Sequence, residues 1–358
     1  MKHKRSTFAL KALLSCVFAG CTSAALAGER HSVPSPEWVV LNRFPLPGSG
    51  GWDYLSYDPE QQHLYIARGN RVQVVDPKNG VLVGEISNTP GVHGVAMATG
   101  SDKAYASNGN DQSVTVFQPS TLKTLAKIQT PKGLKPDFIA YEASTKSVLA
   151  FNGQSNNVSV INTTTDQVVQ TIALAGKPEA AAMNGQGEVF VNIEDKNVLQ
   201  RIDLHQGRVT ATWKLPTCDE PAGLAMDMQN HRLFVGCHNQ VLLMVNAQNG
   251  QVLSQAAIGE DVDAVTFDPD TQLVFSANAD STFTLLHEDN DHQVSHRQTV
   301  ATPSHSKTMA LNTQDHLAYL VSARFEAPRQ GGGKSLPKPD SFEVLVLGAP
   351  PSMPTAKP

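Results

Sequence analysis

An all-β, seven-bladed β-propeller with four strands per blade is the fold this sequence predicts, and three observations predict it. A unit of about 42 residues recurs seven times. Each unit carries short strand patterns with no competing helical period, and the last unit lacks a strand that the N-terminal segment can supply. Radial repetition of four-stranded sheets is how a propeller keeps its sheet edges short and protected.

The first strands of the units align as WDYLSYDP from Trp52, VHGVAMAT from Val92, PDFIAYEA from Pro136 and PEAAAMNG from Pro178. They continue as PAGLAMDM from Pro221, VDAVTFDP from Val262 and SKTMALNT from Ser306, with starts 40, 44, 42, 43, 41 and 44 residues apart. Second strands follow as HLYIAR, KAYASN, SVLAFN, EVFVNI, RLFVGC, LVFSAN and LAYLVS. After loops rich in Asn, Gly and Asp come third strands such as RVQVVD, SVTVFQ, NVSVIN and VLLMVN. Turns such as DPKNG and NAQNG then lead to fourth strands such as VLVGEI and QVVQTI. The seventh unit stops after its third strand, FEVLVLGAP. The segment EWVVLNRF at 37–44 precedes the first unit and is expected to close the ring as the missing fourth strand.

Residues 37–350 therefore form the expected propeller. Residues 1–27 read as a Sec signal peptide: Lys2, Lys4, Arg5 and Lys11 precede the apolar ALLSCVFAG and an Ala25-Leu26-Ala27 cleavage site. A second reading takes VFAGC as a lipobox with Cys21 lipidated, giving an outer-membrane lipoprotein instead of a soluble periplasmic protein. Residues 28–36 read as a linker and 351–358 as a disordered tail. No other apolar run approaches membrane-spanning length. Without the leader, 24 basic residues face 33 acidic ones, a net charge of −9. That balance argues against nucleic acid and anionic lipid as partners.

The core pattern, LYIARGNRVQVVDPKNG with VSVINTTTDQ and AYASN at 104–108, resembles the YVTN-repeat propellers, the YncE-like family of exported bacterial proteins. The resemblance covers residues 37–350 and implies the propeller fold and export. It implies no particular chemistry, because propellers host unrelated functions.

Asp137 stands at the head of a short apolar run, where a carboxylate is costly to bury unless it is solvated, paired or bound. In a propeller the first strands line the central channel, so residues in register with Asp137 should ring one mouth. They are Asp53, His93, Asp137, Glu179, Ala222, Asp263 and Lys307. Four acids, an imidazole and an ammonium make a cation or a basic or polyhydroxylated ligand the complementary guest. The oxygens suit calcium or magnesium, and His93 admits a transition metal, so a divalent cation is the candidate cofactor. The competing reading is that these acids cap adjoining turns. Asn108, Asn152, Glu194 and His238, in loops after the second strands, are expected on the same face as further ligand contacts.

Cys218 and Cys237 are the pair left after cleavage and form a candidate disulfide, the alternative being two separate thiols. The long loop FEAPRQGGGKSLPKPD at 325–340 is basic and reads either as a lid over the ring or as an insertion. HEDNDHQVSH at 287–296 falls at a turn on the opposite face and reads as a solvated hairpin, the alternative being a weak metal site at His287 and His292. No nucleophile elbow, phosphate loop, HExxH or haem motif is present. The reading is a monomeric periplasmic protein that binds a small molecule, a cation or an envelope protein at the acidic mouth. A metal-assisted lactonase-type hydrolase or lyase and a metal-delivery protein are the alternatives.

Overall fold

The computed structural model describes residues 37–326 and 335–351. The expected leader, the linker, Cys21, the middle of the 325–340 loop and the end of the tail lie outside the described residues. Seven four-stranded antiparallel sheets form the ring, each built from consecutive strands except one. In that sheet Val39–Pro45 pairs with Glu343–Gly348, followed by Leu317–Ser322 and Met309–Asn312. The N-terminal strand thus closes the ring, as the sequence predicts. Trp38 secures this closure from the preceding blade. It is buried, its ring lies 4.7 Å from that of Phe275, and its backbone N–H and C=O both bond the Gln298 side chain. Among the described residues no helix is long and apolar enough to cross a membrane.

Alternation explains how the blades stack. Along His63–Arg68, Leu64 and Ile66 turn toward Ala310, Tyr319 and Val321 of the last blade. Tyr65 and Ala67, on the opposite face, pack with Val95, Ala104 and Ala106 of the second blade. Inner strands are therefore buried on both faces and read as continuous apolar runs. Outermost strands such as Val81–Ser87 keep one face in solvent and alternate. Gly80 shows how closely the closure fits. Its φ is +74°, and an added Cβ would lie 2.4 Å from Phe44 of the closing strand, so only glycine serves there.

Two series of acids and asparagines hold the turns. Asp58, Asn184, Asp227, Asp268 and Asn312 end first strands or follow them, and each accepts the N–H two residues on, at 2.8–3.1 Å. Asp76, Asn162, Asp203 and Asn246 do the same at the ends of third strands. These Asx turns fix the turns opposite the channel mouth.

Candidate functional site: an acidic channel mouth

The mouth is shaped by a recurrent bulge. In five blades the register of the first strand against the second slips at its start: between Val92 and Val95, Pro136 and Ile139, Pro178 and Ala181, Pro221 and Leu224, and Val262 and Ala264. The slipped residues include His93, Asp137, Glu179, Ala222 and Asp263. A bulge unpairs its extra residue and re-aims the side chain, which is how sequence register becomes a ring. At the two remaining positions, Asp53 precedes Leu55–Asp58 and Lys307 precedes Met309–Asn312. Thr308 ties them together by donating its hydroxyl to the Asp53 carbonyl at 3.0 Å.

The ring residues meet. His93 Nδ1 lies 2.5 Å from Asp53 Oδ2 and 3.3 Å from Asp137 Oδ1. Lys307 Nζ reaches Asp263 Oδ1 at 3.2 Å. Lys177 Nζ pairs with Glu179 Oε2 at 3.2 Å and also with Glu194. Unlike the turn-capping acids, none of the carboxylates of Asp53, Asp137, Glu179 and Asp263 accepts a backbone N–H among the described residues. They face one another and the lumen instead.

Burial sets their acidity. Withdrawal from water raises Asp53, opposed by the hydrogen bond and charge of His93. Burial likewise raises Asp137, with His93 opposing and Asp53 adding to the rise. Glu179 is pushed up to about 7 by burial and then by the charge of Asp137. Burial alone would lower His93, but its hydrogen bond to Asp53 and the charges of Asp137 and Asp53 carry it above its ordinary value. For Lys307, too, burial lowers, and the attraction of Asp263 more than offsets it.

Below the ring a cavity of about 440 Å³ runs along the first strands, from Tyr54, Phe138 and Asp263 at the mouth to Tyr57, Met226 and Phe267 at the far end. Tyr54 marks the boundary. Its hydroxyl crosses the hub to donate to Glu179 Oε1 at 3.0 Å, and its ring meets Phe138 edge-on at 5.2 Å. Burial, then the negative charge of Glu179, holds the phenol well above its usual range, so it stays a donor.

Not every expected residue joins the ring. Asn108 and Asn152 are fully buried at the ends of their second strands; their amides donate to Ser113 and Thr115, and to Asn157 and Ser159, on the adjoining third strands. They serve as internal struts, because tight Asn-containing turns fold the amide inward. Glu194 sits in the short 3-10 turn Glu194–Lys196 and reaches the mouth through Lys177. His238 lies 2.9 Å from Glu220, in a hollow that it shares with Glu194, Asp195, Asp219 and Asn239. The Cys218–Cys237 disulfide is formed and underlies that hollow. Tyr54, Lys135 and Lys177 were not singled out from sequence. The signals were present: Lys-Pro-acid occurs at 135–137 and 177–179. At the position after each ring residue, aromatic Tyr54 and Phe138 stand out among Gly94, Ala180, Gly223, Ala264 and Thr308.

Of the 325–340 loop, the base is described. Phe325 packs 4.4 Å from the His305 ring and 5.9 Å from Trp52, and bridges to Pro337.

A family model described as outer membrane protein assembly factor BamB matches residues 68–277, more than half of the 358. No curated protein matches the chain. A chain from a solved structure titled "Crystal Structure of Mitotic Checkpoint Complex" superposes with a TM-score of 0.70 at 12% identity, over 89% of this chain and 96% of that one. At that identity the likeness concerns fold alone. With 1816 chains matching, the architecture is too widely shared to select a function.

Proposed function

Because this chain belongs to the family described as outer membrane protein assembly factor BamB, we propose that it is an exported binding protein of the cell envelope whose acidic channel mouth receives a cationic group. The family description names an assembly factor, which favours a protein or a small ligand presented by one as the partner. The disulfide supports an oxidising compartment, hence the periplasm, with residues 1–27 as the leader. The narrower YVTN-repeat, YncE-like assignment rests on the repeat core quoted above. In this reading the protein acts as a monomer.

One observation carries the proposal. The repeat brings Asp53, Asp137, Glu179 and Asp263 to one opening, and among the described residues none of them serves a backbone turn, whereas the acids at the opposite ends of the strands do. Such an arrangement destabilises the unliganded protein through carboxylate repulsion and burial, and a bound cation relieves both. A primary ammonium or guanidinium would add donors to those that His93, Lys177 and Lys307 already supply to the four acids.

The test is thermal stabilisation by agmatine, a guanidinium compound without a carboxylate. The wild-type protein should melt at rising temperature as agmatine is added, at constant ionic strength. The Asp137→Asn/Asp263→Asn protein should not respond. Equal responses from both would refute the ring as the binding site.

A further inference from the structure

We propose that the mouth holds a specific divalent transition-metal site formed by Asp53, His93 and Asp137; this rests on the cation-binding reading above and deepens it. His93 Nδ1 lies 2.5 Å from Asp53 Oδ2 and 3.3 Å from Asp137 Oδ1, and one ligand atom from each of the three residues lies within 4.8 Å of the other two, the span over which three ligands can meet one ion. Two observations beyond proximity point to a ligand. Asp137 is 8% exposed as a residue and 12% at its side chain, yet its carboxylate accepts no hydrogen bond among the described residues. Its charged neighbours stand off at 3.3 Å (His93) and 3.7 Å (Lys135). The His93 ring also has a defined orientation: its Nε2 edge lies beside Gly109, where a Cβ would come within 2.7 Å, and its Nδ1 faces the two carboxylates.

Two carboxylate oxygens and one imidazole nitrogen suit zinc or manganese, with coordination sites left for water. Calcium is disfavoured because it takes six to eight oxygens, roughly twice what this corner offers. Metal–ligand distances of about 2.0–2.2 Å need only a modest widening of the His93–Asp53 contact. Lys177 and Lys307 engage Glu179 and Asp263 on other blades, so the ring divides into lysine-paired acids and a histidine-centred corner.

The probes are ZnCl2 and MnCl2, titrated calorimetrically into the folded protein. One ion should bind per chain. His93→Gln and Asp137→Asn should each weaken binding at least tenfold, and the His287→Gln/His292→Gln protein should bind as wild type. Should either mouth variant fail to fold, a zinc-edge anomalous map of a wild-type crystal replaces it, with a peak expected about 2 Å from all three named atoms. Absence of binding, or binding abolished only by the His287/His292 change, overturns the metal site. If agmatine still stabilises the protein in that case, the broader cation-binding reading stands. If agmatine also fails, both fall together.

Discussion

Replacing Glu179 by glutamine separates a carboxylate poised for a guest from one that stabilises the fold. Glu179 has its pKa raised from 4.5 to about 7, first by burial and then by Asp137. A carboxyl raised in the folded state releases its proton more readily when unfolded. Wild-type stability therefore falls as pH climbs from about 4.5 to about 7 and stays low above that. At about 1.4 kcal/mol per pH unit, the interval corresponds to about 3 kcal/mol. Glu179→Gln removes this loss, since an amide does not ionise. Its carbonyl can still accept the Tyr54 hydroxyl, and Lys177 keeps Glu194. Urea unfolding of both proteins at pH 4, 6 and 8 is the assay. The variant should nearly match wild type at pH 4 and exceed it by up to about 3 kcal/mol at pH 8. A variant less stable than wild type at every pH would show that Glu179 is an ordinary structural partner of Lys177 and would refute the reasoning.

Three further outcomes are expected. Trp38→Ala should cost about 3–5 kcal/mol, read from the urea midpoint, because it empties the buried contact with Phe275 that seals the ring; a cost under 1 kcal/mol would contradict closure by the N-terminal strand. Replacing Cys218 and Cys237 together by alanine should cost about 3 kcal/mol from the loop entropy of a 19-residue separation, and peptide mapping without reductant should recover the two cysteines linked. Tyr54→Phe should lose about 1.5–3 kcal/mol at pH 8, the worth of a hydrogen bond to a charged acceptor, with an unchanged far-UV spectrum.

The blades were legible because each is made locally. Alternating apolar residues and Asx turns specify a four-stranded sheet within about 42 residues, and repetition specifies the rest. The ring was legible for the same reason: register places Asp53, His93, Asp137, Glu179, Asp263 and Lys307 alike. Which side chain crosses the hub was not. Tyr54 meets Glu179 from 125 residues away, through a lumen whose width no single repeat encodes. Asn108 and Asn152 misled for a related reason. An asparagine where a second strand meets its loop looks alike in sequence whether its amide turns outward or, as here, back onto the third strand. Lys135 and Lys177 lie outside the aligned position, so symmetry alone did not pick them out.

The most direct test of the acidic mouth is a crystal of the wild-type protein soaked in agmatine. Difference density should appear at the hub, with the guanidinium within about 3 Å of the carboxylates of Glu179 or Asp263. A hub occupied only by water at saturating agmatine, or density confined to the outer faces of the blades, would contradict the account.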